Sequence, residues 1–190
     1  MAFVDPLTIM LVAVAASTGL IALYLYRLAK GRKDFEDLAI TIFFTGLFDF
    51  MSGFFFSFTW PFPGRLSAYN MLFGDPMLFL GLIMLSSSVM LYKKINPKVV
   101  SIPAFLLGLY LLVETYAIAA LGLESGAYFI PAFSLYLFAT LSAIFSPIVY
   151  LDAKKHAYAY YFVIALLIIT ALLAIFIGCA AIYEHLASPP

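Results

Sequence analysis

The sequence predicts an all-α polytopic membrane protein of six transmembrane helices with both termini outside, and three observations carry that prediction. Of its residues 65% are hydrophobic and only 11% are charged, against roughly 25% charged in an ordinary soluble domain. Mean hydropathy is +1.08, an apolar excess that a 190-residue chain folded in water has too much surface to hide. The apolar residues also fall in runs of about 20, long enough to cross a hydrocarbon core as a helix and about twice the length of a barrel strand. Backbone groups in lipid must be paired within their own segment, so these runs are helices.

The runs lie at roughly 7–26, 38–59, 76–92, 99–121, 128–151 and 159–183. The first follows "MAFVDP", which lacks the basic n-region of a cleavable signal, and is expected to remain as a span. The second follows "RLAKGRKDFED" and stops at "WPFPG", where Pro61 and Pro63 lack amide hydrogens and Gly64 frees the backbone for a turn. The third is expected to open at "FGDP", with Asp75 as N-cap and Pro76 at the first helical position. "KKINPK", "GLESGA" and "DAKKHAY" separate the remaining spans with charge, Pro or Gly where a helix should stop. Loops this short leave no room for a second domain, so residues 1–190 are expected to form one transmembrane domain.

Charge fixes the expected orientation. Arg27, Lys30, Arg32 and Lys33 lie at the first connection, Lys93, Lys94 and Lys98 at the third, Lys154 and Lys155 at the fifth, whereas Arg65 alone lies at an even-numbered one. The positive-inside rule therefore places the odd connections in the cytoplasm and both ends outside a plasma membrane. Net charge is zero, so nothing draws the chain to nucleic acid. A lone Cys179 excludes an intrachain disulfide and a Cys-rich metal site, and is expected to be packed among apolar neighbours.

Against this background the intramembrane acids stand out. Asp49 lies near the middle of the second helix, where an ionised carboxylate facing lipid costs several kcal/mol. Thr41, Thr45, Asp49, Ser52 and Gly53 follow at helical spacing as one small and polar stripe, fit to line a hydrated path. Glu114 in the fourth helix is the second such acid, with Tyr110 one turn away as a hydrogen-bond donor. Burial with no basic residue in any helix interior favours the neutral form of both. Serines at 86–88, 134, 142 and 146 read differently: membrane serines more often serve close packing and back-bonding to their own helix. Ala174 and Gly178 read as a packing face for the same reason.

The second connection is a polar knot, "FTWPFPGRLSAYNMLFGDP". Helix punctuation accounts for its prolines and Gly64 but not for Trp60, Arg65, Tyr69 and Asn70, so these join Asp75 as a candidate outer-loop site. Its aromatic content suits the headgroup region, or a lid folded back over the helix ends. Through Trp60, Pro61, Tyr69, Asn70, Asp75 and Pro76 the sequence resembles an uncharacterised, mostly archaeal family of small multi-pass membrane proteins, a domain of unknown function. That resemblance implies a membrane fold and no activity. In architecture alone the chain is similar to the urea and amide channel family, which implies six helices assembled as rings and carries over no residue.

These observations point to a channel or transporter for a proton, small ion or small polar solute, with Asp49, Glu114, Thr45, Ser52 and Tyr110 along the path. The alternative is a non-catalytic assembly subunit whose acids meet a partner's cation, with self-association into a homo-oligomer compatible with either. An intramembrane enzyme is disfavoured, because His156 and His185 sit at or beyond the expected helix ends and no H-E-x-x-H or G-x-S-x-G occurs. No cofactor or metal is expected, since the oxygen ligand set is thin.

Overall fold

A computed structural model describes residues 6–187, with the backbone alone of Arg65 and His185. Six helices follow in chain order: α1 (Pro6–Ala29), α2 (Glu36–Thr59), α3 (Ala68–Tyr92), α4 (Ser101–Ala120), α5 (Phe129–Ile144) and α6 (Ala157–Ala187). A 3₁₀ turn at Pro97–Val100 leads into α4, and others flank α5 at Gly126–Tyr128 and Ser146–Tyr150. With these turns included, all six segments are long and apolar enough to cross a membrane. The segment "MAFVDP" lies largely outside the described residues, and with it the expectation about a signal.

Each helix packs on its neighbours in sequence and α6 returns against α1, so the helices close into a ring. Its tightest seam is α2 on α3, and glycine makes the approach possible. A Cβ at Gly46 would lie 2.5 Å from Met84 Cβ, one at Gly53 would collide with the Leu78 backbone, and one at Gly81 would collide with Phe50. Small residues let membrane helices gain backbone-to-backbone packing where no hydrophobic force drives them together. Ala174 is buried and Gly178 meets the Thr8 carbonyl and Leu11 of α1, the expected packing face of α6. Cys179 is instead exposed, because a bilayer allows the outward face of a helix to be as apolar as its core.

The odd connections gather at one end, hereafter the basic end. Arg27 pairs with Asp37 and Lys94 with Glu36, both at 2.7 Å, and Gly31 lies beside the Lys154 side chain. At the opposite, terminal end, Tyr69 donates to Glu124 at 2.6 Å and Tyr128 to Glu184 at 2.5 Å. The alternation read from the basic residues is therefore the alternation of the fold.

Three boundaries differ from expectation. α3 begins at Ala68, about two turns before Asp75, so Asp75 is no N-cap and Pro76 lies inside the helix. An interior proline withdraws the N–H that would have bonded the carbonyl four residues back, here Leu72. The Tyr136 hydroxyl on α5 donates to that carbonyl at 2.5 Å. α5 stops at Ile144, and the chain tightens to 3₁₀ geometry where Ser146-Pro147 disfavours a continued α-helix. α6 continues to Ala187, which puts His185 within the helix.

Candidate functional site

Asp49 turns toward α1, where its Oδ2 accepts a hydrogen bond from Ser17. Both residues are fully buried, and Asp49 Oδ1 has no hydrogen-bond partner among the described residues. The stripe expected around it divides. Gly53 is spent on the α3 seam, Ser52 is half-buried, and Thr45 donates to the Thr41 carbonyl of its own helix at 2.7 Å.

A second cluster lies nearer the terminal end and joins three helices through Asp75. Its Oδ1 accepts from Ser57 of α2 at 2.6 Å, and its Oδ2 accepts from the Tyr110 hydroxyl of α4 at 2.7 Å. The Tyr110 hydroxyl thus donates to Asp75, and Glu114, the partner that the sequence suggests for it, stands beside it. The reason is the early start of α3, which carries Asp75 into the bundle beside α4. Glu114, one turn beyond Tyr110, is buried, and neither of its carboxylate oxygens has a hydrogen-bond partner among the described residues. Asp75 and Tyr110 lie beside it, and the buried Tyr136 of α5 lies within electrostatic reach. Ser57 and Tyr136 are the members that sequence reasoning missed. Ser57 falls one helical turn past Gly53, and its signal was simply a hydroxyl close to the "FGDP" acid.

The outer-loop residues part company. α2 ends on Trp60 in the left-handed region, φ 49°, with its N–H on Phe56, and the chain reverses through Gly64 at φ 62°. Asn70, fully buried, donates to the carbonyls of Phe62 and Ser67 at 2.8 and 3.1 Å and accepts the Phe62 N–H at 3.0 Å. It clamps the loop. That clamp brings the Phe62 ring edge-on to Phe56, with centroids 5.4 Å apart, so the connection folds back onto the helix ends. Tyr69 ties the start of α3 to the α4–α5 connection through Glu124, and Trp60 is exposed. The Arg65 side chain lies outside the described residues.

The hydroxyls follow the packing reading. Ser142 bonds the Phe138 carbonyl of its own helix at 2.7 Å, Ser88 reaches the Ala39 carbonyl on α2 at 2.7 Å, and Thr115 pairs with Thr140 across α4 and α5 at 3.0 Å.

Inside the ring lies a cavity of about 220 Å³ whose walls come from all six helices and are almost wholly apolar. Neither Asp49 nor Glu114 lines it. The acids occupy helix seams around this space. At the basic end electrostatics are ordinary: the Glu36 carboxylate raises the Lys94 pKa, and Asp152 is held below the usual carboxylate range by the Lys154 N–H. Among the described residues no group of three His, Cys, Asp or Glu side chains could hold a metal ion.

Fold and site define an all-α protein of six helices long and apolar enough to cross a membrane, with acids buried between them. The chain belongs to the family described as "Protein of unknown function (DUF981)", whose model matches residues 1–188. No curated protein and no solved structure matches it.

Proposed function

We propose that the protein moves protons or a small cation across the plasma membrane, using Asp49 and the Asp75–Tyr110–Glu114 cluster, with the basic end in the cytoplasm and both termini outside. The observation that carries this reading is the pair of buried acids: three carboxylate oxygens, one on Asp49 and two on Glu114, have no hydrogen-bond partner among the described residues. Burying such groups is costly unless something binds them. A proton or a small cation satisfies them, and neither demands a wide aqueous pore. The largely apolar central cavity favours such a species over a polar solute, because its walls offer little hydrogen bonding to replace a solute's hydration. Short links from Ser57 and Tyr110 to Asp75 suit proton hand-over between oxygens.

In the alternative reading, an assembly subunit, a partner's Arg or Lys neutralises the acids. Asp49 and Glu114 are covered by the chain's own helices, so such a partner would have to part them. Flux in proteoliposomes of the purified protein, read with an internal pH dye and with monovalent-cation gradients, tests the proposal. Asp49→Asn and Glu114→Gln are each expected to lower flux about tenfold or more while expression is unchanged. Flux that ignores both substitutions removes the acids from the path. No flux for any species, together with a defined hetero-complex on gentle extraction, would favour the subunit.

A further inference from the structure

The central cavity is long for its volume. On α1 its wall runs from Leu11 to Leu25, about 21 Å at 1.5 Å per residue, so 220 Å³ describes a narrow tube rather than a chamber. That length somewhat exceeds half of a hydrocarbon core of about 30 Å, the depth one lipid chain fills. Walls such as Ile83, Leu107, Ala139 and Leu167 offer water no partners, and water enters a void only where polar groups receive it. A hydrocarbon chain, which the bilayer supplies in excess, gives up no hydrogen bonds by entering.

The two ends of the tube differ. Toward the terminal end its lining is apolar, with Leu72, Phe73 and Leu135. Toward the basic end it reaches the half-buried Pro97 and Lys98 and the serines Ser101 and Ser146. Those serines hold the mouth in shape: Ser101 donates to the Lys98 carbonyl at 2.7 Å, and Ser146 to the Ser101 carbonyl at 2.9 Å. The connection on one side of the mouth carries Lys93, Lys94 and Lys98 and no acid, and that on the other carries Lys154 and Lys155 against Asp152. Lys94 is engaged by Glu36, which leaves a net positive rim.

We propose that this cavity is a binding site for a single-chain lipid with an acidic head group, its chain along the ring axis and its head at the Lys98 mouth. The site is separate from the buried acids, and its occupancy does not depend on their role in transport. A long-chain fatty acid bearing a photoreactive diazirine on its chain, added to proteoliposomes of the full protein and mapped by peptide mass spectrometry, tests it.

Crosslinks are expected on inward residues such as Leu107 and Leu167, and excess unlabelled fatty acid should abolish them. Crosslinks on the lipid-facing residues Phe44 and Tyr116, both exposed, should not saturate. Ala139→Phe, or Ala104→Phe if the first misfolds, should cut the inward crosslinks about tenfold by filling the tube. Lys98→Glu should weaken competition by the acid roughly fivefold and leave competition by the matching fatty alcohol unchanged. Labelling confined to lipid-facing residues, or inward labelling that does not saturate, overturns the site. Equal effects of Lys98→Glu on acid and alcohol overturn the assignment of the head group.

Discussion

At the scale of single residues, the bundle answers some polar irregularities with a side chain from another helix. Pro76 is the clearest case. Its missing N–H would leave the Leu72 carbonyl unsatisfied inside a membrane, and Tyr136 supplies the donor at 2.5 Å. Tyr136→Phe should therefore cost about 1–3 kcal/mol, the penalty for orphaning a buried acceptor. In a Pro76→Ala background the restored backbone N–H takes over that carbonyl. The same tyrosine substitution should then cost less than about 0.5 kcal/mol. Thermal unfolding of the four proteins in one detergent closes this double-mutant cycle, and equal costs in both backgrounds would refute the compensation. Asn70 works similarly for the loop, meeting both backbone groups of Phe62. Asn70→Ala should loosen residues 60–67 and speed proteolysis there, while Asn70→Asp, which keeps the acceptor and loses the donors, should be intermediate. Unchanged cleavage would show that the loop holds without its clamp.

At the scale of elements, the α2–α3 seam is set by glycine. Gly53→Leu forces a side chain into the Leu78 backbone and is expected to destabilise by about 1–3 kcal/mol or more. Gly19 of α1 has nothing within 4 Å of an added Cβ, so Gly19→Ala should be neutral or stabilise by up to about 1 kcal/mol through helix propensity. Comparing melting of the two variants with wild type separates packing from propensity, and a neutral Gly53→Leu would mean the seam is looser than its geometry requires. The six helices were legible because span length and loop punctuation are local signals. The start of α3 was not. "FGDP" has the pattern of a helix start, and an interior proline differs from one at the first position only in whether a distant group, here Tyr136, satisfies the freed carbonyl. That error hid the Asp75–Tyr110 contact as well, since an acid at a helix entrance would not reach α4. Asp49 and Glu114 were legible as acids within long apolar runs. Their partners were not, because Ser17 is an unexceptional serine until α1 packs on α2.

At the scale of the whole molecule, the tube and the sidedness both follow from closing the ring, and only the second leaves a mark in the sequence. Apolar cavity walls and lipid-facing surfaces have the same composition, so no pattern separates Leu107 from Val113. Sidedness is written in charge: the odd connections carry nearly all the lysines and arginines, and the fold gathers them at one end. On the proposed orientation, Lys93 is cytoplasmic and Ser125 is outside. Because Cys179 is the sole cysteine and is exposed, Cys179→Ser gives a silent background for Lys93→Cys and Ser125→Cys, both at exposed positions. A membrane-impermeant maleimide applied to intact cells should label the cysteine at 125 at once and the one at 93 only after permeabilisation. The reverse pattern would invert the orientation and place the Lys98 mouth outside. Labelling of both in intact cells would place the two ends of the bundle on one side, which six crossings in alternation do not allow.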